Sequence, residues 1–296
     1  MPSSSRSCRL STRVESSEVS VVTELTKTFD VERFTLAWDE WGSGDAPPLV
    51  LIHGFSGSAH DFALHIPALA EHRRVLAIDH RGHGRSSNSL DEETYTVDHI
   101  VDDVIDWLSH TVDGPVDLLG HSMGGRVALR FALARRDLVH SLILMDTTAW
   151  SFAIEDPAVA EMINGFFSSI TAETPMGNMP AGPEDELIDA AAPADWRERK
   201  AELAAAFDPM ACRALGLALF GDRLQPVDHL LGDIDAPVTV IAGEHDHPYV
   251  DHAQNLADGV ADGECVIIDG AYHSPQLTHQ AEWLAAVDRH LARVSG

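Results

Sequence analysis

The feature that most constrains this chain is one hexapeptide, Gly120-His121-Ser122-Met123-Gly124-Gly125. It stands between a short strand-forming run, residues 116–119, and a helical pattern, residues 123–135. A serine in G-x-S-x-G, with a strand before it and a helix after it, occupies a sharp and strained turn. Small residues at 120 and 124 let neighbouring backbones approach that turn. The helix start aims its dipole and free N–H groups at any negative charge that develops beside the hydroxyl. A turn of this kind follows a buried strand and opens a helix, which is where the hexapeptide stands.

The rest of the chain agrees. Residues 49–53 and 75–78 are continuous apolar runs of the length and type that suit strands buried on both faces. Residues 141–145, 238–242 and 265–268 are further strands, and 19–26 and 34–41 alternate as strands do. Residues 63–70, 97–109 and 281–294 carry apolar residues at helical spacing. Strand and helix in alternation predict an α/β fold, a mostly parallel sheet flanked by helices. The alternation stops once. No buried strand is legible between about residues 147 and 235, where helical pieces at 158–170 and 196–207 flank a Pro-, Gly- and Asn-rich loop at 174–184. This predicts a helical cap over residues 147–235, inserted into a core of residues 19–146 and 236–296, with residues 1–18 as a disordered tail.

Composition narrows the chemistry. The chain has 296 residues, 45% apolar and 23% charged, which is ordinary for a soluble globular protein. Its 20 basic residues against 47 acidic ones repel phosphate backbones and anionic lipid, so no nucleic-acid partner is expected. No apolar run reaches the ~20 residues of a membrane span. The three cysteines, Cys8, Cys212 and Cys265, form neither a disulfide framework nor a zinc motif, which fits a reducing, cytoplasmic setting. Arg6, Arg9 and Arg13 lie in a serine-rich start without an apolar segment, so no secretory signal peptide is visible.

Four other segments complete a candidate site. His53-Gly54-Phe55 follows a buried strand, and its glycine lets the chain turn so that a backbone N–H faces Ser122. The N–H groups of Phe55 and Met123 are the expected oxyanion donors, and His53, Gly54 and His121 the expected substrate contacts. Enzymes with this elbow order their triad Ser, acid, His along the chain, so the base is expected late. His273, in a loop after a strand, fits better than His279, which begins the last helix, or His290, expected on that helix's surface. The acid follows residues 238–242: Asp246 is preferred, with Glu244 and Asp146 as rivals. Reading Glu244-His245-Asp246-His247 as a metal cluster fails, because it has no known ligand spacing. In Asp79-His80-Arg81-Gly82-His83-Gly84-Arg85-Ser86 the glycines serve a tight turn, and an Asp–Arg pair is expected to hold it. Its G-x-G lacks the third glycine of a dinucleotide site.

Together these motifs make the chain resemble the α/β-hydrolase superfamily, in the group with a helical cap. The resemblance runs over about residues 20 to 295. In relatives these segments mark the oxyanion loop, a structural turn, the nucleophile elbow, the triad acid and the triad base. The resemblance implies an eight-stranded sheet, no metal and no organic cofactor. It also supports Asp246 over its rivals. Ser122 disfavours epoxide hydrolases and haloalkane dehalogenases, which carry aspartate there. Phe55-Ser56-Gly57 and Ser274 weaken a carbon–carbon bond hydrolase, and Ser274-Pro275-Gln276 looks more like esterases, lactonases and perhydrolases. Thr278 and His279 depart from the glutamate and proline many relatives carry. The expected activity is therefore hydrolysis of small to medium carboxylic esters through an acyl-enzyme. The alternatives are a lactonase, amidase or carbon–carbon hydrolase on the same triad, or a silent ligand-binding relative.

Overall fold

The computed structural model describes residues 26–151, 154, 156–177, 182, 184–221 and 223–295. The tail at 1–18 and nearly all of the strand expected at 19–26 lie outside them. The described chain begins with a hairpin of β1 (Lys27–Val31) and β2 (Phe34–Trp41). β3 (Leu49–Ile52) leads through a 3₁₀ turn and the short α1 (Ile66–Leu69) to β4 (Val75–Ile78). Then come α2 (Val97–Thr111), β5 (Val116–His121), α3 (Met123–Ala134) and β6 (Val139–Met145). Four helices follow without a strand among the described residues: α4 (Pro157–Ser169), α5 (Asp185–Ala191), α6 (Ala194–Ala205) and α7 (Pro209–Leu219). The chain returns through β7 (Val238–Gly243), α8 (Tyr249–Asp258) and β8 (Gly263–Ile268), and closes with α9 (Pro275–Thr278) and α10 (Gln280–Val294).

The eight strands form one sheet in the order β1-β2-β4-β3-β5-β6-β7-β8. β2 runs antiparallel to β1 and to β4, and every other pair is parallel. Side chains alternate across a strand, and the core follows that alternation. Val50 and Ile52 face a layer holding Val104, Trp107, Val127 and Phe131 of α2 and α3. Leu49 and Leu51 face the opposite layer, with Ile66 of α1 and Trp283, Val287 and Leu291 of α10. Both faces are covered, which is why β3 and β4 read as unbroken apolar runs.

The structure corrects several local expectations. β1 was not legible, because Lys27 stands on the inward face where an apolar residue would complete the alternation. The helix expected at 63–70 shrinks to one turn, since Pro67 stands in its first turn. His290 is buried, not on the surface: its ring nitrogens bond Thr239 Oγ1 (2.8 Å) and Ser141 Oγ (2.9 Å). The turn at 79–86 is not held by an Asp79–Arg81 pair. Arg81 instead forks onto Asp103 of α2, and Asp79 accepts the backbone N–H groups of Ala59 (2.8 Å) and Arg85 (2.9 Å). No helix among the described residues is long and apolar enough to cross a membrane.

Candidate active site

The carboxyl ends of the parallel strands gather at one edge of the sheet, where α/β proteins place their ligand sites. β5 runs directly into Ser122, whose backbone takes φ 53° and ψ −115° before α3 begins. A non-glycine residue at such angles costs on the order of 1–3 kcal/mol and persists only when its surroundings over-determine it. Here they do. Ser122 N–H donates to Met145 O at 2.8 Å, and Ser122 O accepts from Gly125 N–H (3.0 Å) and the Thr147 hydroxyl (2.7 Å). The small neighbours are obligatory: a Cβ on Gly120 would stand 2.4 Å from Gly124 O, and one on Gly124 2.2 Å from Ile52 O.

Ser122 and His273 line one cavity of about 550 Å³. His273 sits in the loop between β8 and α9. Its Nδ1–H donates to Asp246 Oδ2 at 2.8 Å, which leaves Nε2 as the basic nitrogen. Of the two rival acids, Glu244 turns away to accept Gly270 N–H, and Asp146 accepts Gly243 N–H, each at 2.8 Å. Burial alone would depress the imidazole of His273, but the hydrogen bond and charge of Asp246, with Glu184, outweigh it and raise it above the usual histidine range. The base loop is pinned twice: His121 Nε2–H donates to His273 O (2.7 Å), and Ser274 N–H donates to Glu184 Oε2 (3.1 Å). Burial, helped by His273, holds His121 down at about 4, so its ring stays neutral and fixed.

A pH test follows from this arrangement. A base acts in its neutral form, so a raised His273 moves the acid limb of a pH–rate profile upward. Glu184→Gln removes one of the charges that raise it. The limb should then shift to lower pH by roughly half a unit, as a solvent-screened interaction does. Rate profiles of the two proteins in one buffer series give the check.

On the other side of Ser122, Gly54 packs so closely that an added Cβ would lie 3.2 Å from Ser122 Cβ. Gly54, Phe55 and His121 line the cavity. Met123 opens α3, so its N–H has no partner inside the helix. His53 takes a different place from the one expected. It is fully buried, donates from Nδ1 to Gly54 O (2.8 Å) and accepts His80 N–H at Nε2 (3.0 Å). It shapes the loop from behind and is not among the residues that line the cavity. With His80 and His83 it forms a buried cluster whose rings burial keeps neutral.

The helical segment supplies the opposite wall. Trp196 of α6 lines the cavity and stacks on His60 at 5.1 Å, and each residue donates a side-chain N–H to the other's carbonyl at 3.0 Å. Lys200 pairs with Asp61, and Arg197 stands 3.8 Å from Asp189, all four in the lining. The remaining apolar residues of the segment behave differently. Phe167, Phe207 and Phe220 enclose the Phe55 ring. Met162 and Phe166 are exposed, Met176 is half-buried, and Met179 lies outside the described residues. Sequence reasoning missed Tyr249, the first residue of α8. Its ring lies 5.1 Å from that of His273, and Ser122 is among the groups that act on its phenol. Burial pushes that phenol up to about 12, so it keeps its proton.

The comparisons with known proteins agree with the fold. The family model for the alpha/beta hydrolase fold matches residues 47–280. A putative carbamate hydrolase RutD of Variovorax paradoxus is 32% identical over 265 residues, covering 88% of this chain and 97% of the relative. Among solved structures, an enol-lactonase from Burkholderia xenovorans superposes with a TM-score of 0.70 at 23% identity, covering 90% of this chain and 100% of that one. A thermophilic esterase from Thermogutta terrifontis gives 0.69 at 24%, covering 88% and 94%.

Proposed function

Because the chain belongs to the alpha/beta hydrolase fold family, we propose that it is a serine hydrolase that cleaves small to medium carboxylic esters through an acyl-enzyme. The observation that carries this reading is the 2.8 Å bond from His273 Nδ1 to Asp246, made at the wall of the cavity that Ser122 also lines. His273 Nε2 takes the proton of Ser122 as Oγ attacks the acyl carbon. The N–H groups of Phe55 and Met123 hold the oxyanion, and Asp246 stabilises the imidazolium. The imidazolium then protonates the departing alkoxide, and water releases the acid by the same steps.

The cavity volume lies within the usual range for small-molecule sites. The Lys200–Asp61 and Arg197–Asp189 pairs in its walls favour polar substrates over long alkyl chains. Residues 147–235 serve as the cap over the core of residues 19–146 and 236–296, a reading supported by the α5 and α6 residues in the cavity lining. The Variovorax relative favours a second reading, in which Ser122 attacks a carbamate carbonyl, the alkoxide or aryloxide leaves with the proton from His273, and water then cleaves the carbamoyl-enzyme. A p-nitrophenyl ester series from acetate to palmitate, run beside an aryl carbamate, tests both. The ester reading expects turnover of the short and medium chains that falls off with length. Turnover of the carbamate alone would replace it with the second reading.

A further inference from the structure

Asp146 ends β6 in a left-handed backbone conformation, φ 46°, with its side chain buried. Its Oδ1 accepts Gly243 N–H at 2.8 Å. Its Oδ2 is buried with no donor among the described residues. Asp246 is tied to Gly243 as well, its N–H donating to Gly243 O at 3.1 Å, so its carboxyl charge acts on Asp146, and its own Oδ2 already accepts from His273. Two ionised carboxylates side by side in a buried site repel each other, and an anionic oxygen without a donor has lost its hydration for nothing. One proton removes both penalties. Placed on Asp146 Oδ2, it turns the repulsive contact into an O–H donor facing an acceptor.

We infer that Asp146 is a positioning residue that holds a proton at neutral pH and donates it as a hydrogen bond to Asp246, fixing the carboxylate that orients His273. The inference rests on the reading of Asp246 as the acid of the site. The other groups facing Asp146 agree with it. Glu184, ahead of α5, adds negative charge, and Tyr249, at the start of α8, is a protonated phenol. The charge of Arg126 of α3 acts on that phenol. Burial first, and then the charge of Asp246, raise the Asp146 carboxyl well above the ordinary carboxylate range.

The test compares wild type, Asp146→Asn and Asp146→Ala by the rate of fluorophosphonate labelling across pH. Asparagine is neutral, isosteric and still a donor; alanine is none of the last two. The acid limb of Asp146→Asn should coincide with that of wild type, because neither residue carries a charge beside His273. Asp146→Ala should label about tenfold to hundredfold more slowly, the loss expected for one hydrogen bond to a charged group. The infrared difference between wild type and Asp146→Asn at neutral pH should contain a protonated-carboxyl band. A limb in Asp146→Asn moved down by about one unit or more would mean that wild-type Asp146 is ionised, and would overturn the inference. So would a difference spectrum without that band, or an alanine variant as fast as wild type. If the alanine variant does not fold, the asparagine limb and the infrared band decide. Failure of wild type itself to label would overturn the serine hydrolase reading, while the band would still report the proton on Asp146.

Discussion

Ser122→Ala should leave a folded protein whose turnover is lower by about four to six orders of magnitude, the loss seen when a nucleophile that acts as part of a unit is removed. The fold should survive because the elbow is held by backbone groups. The Ser122 N–H bond to Met145 and the bonds from Gly125 and Thr147 to Ser122 O do not involve the hydroxyl. Alanine can take the same strained angles at the same cost. Substrate binding should change little, since most of the cavity wall comes from other residues. Turnover and thermal unfolding, measured on the same preparation, separate loss of chemistry from loss of structure.

Asp103→Ala should produce the largest loss of stability, about 3–5 kcal/mol, because it strands a buried guanidinium. Arg81 bonds Asp103 through Nε (2.6 Å) and Nη2 (2.5 Å), donates from Nη1 to Thr94 O (2.9 Å), and lies 4.5 Å over the Phe34 ring. Both side chains are almost wholly out of water, at 3% and 5% exposure, so no solvent replaces the lost carboxylate. A fall in melting temperature of roughly 6–20 °C follows for a chain of this size. Pairing the change with Arg81→Met should recover much of it, since removing both charges removes the uncompensated one. The pair also bears on the site. It holds the turn after β4, and that turn supplies the His80 N–H that bonds His53 behind the Gly54 loop.

The parts of the site that were legible in the sequence are those whose chemistry is local. Gly120 is demanded by a backbone contact within the elbow itself and Gly124 by the close approach of Ile52 on β3, and the spacing of the hexapeptide announces both. β3 and β4 announce themselves because both of their faces are buried. The unreadable parts depend on partners distant in the chain. Arg81 finds Asp103 across 22 positions, and His290 is buried because Thr239 and Ser141 receive its nitrogens. Neither partner leaves a mark near the residue. Helix α7 did leave a signal, Asp208-Pro209, an N-cap followed by proline in the first turn. Tyr249 left none, because its place beside Ser122 is set by how α8 packs on β7.

The central claim is that Ser122 is the nucleophile and His273 its base. The most direct test is to treat the intact protein with a fluorophosphonate and locate the adduct by peptide mass spectrometry. The account predicts a single phosphonylated residue, Ser122, no adduct in Ser122→Ala, and labelling of His273→Ala slowed by at least about a thousandfold. Folded wild type that takes up no label, or takes it up on another residue, would contradict it.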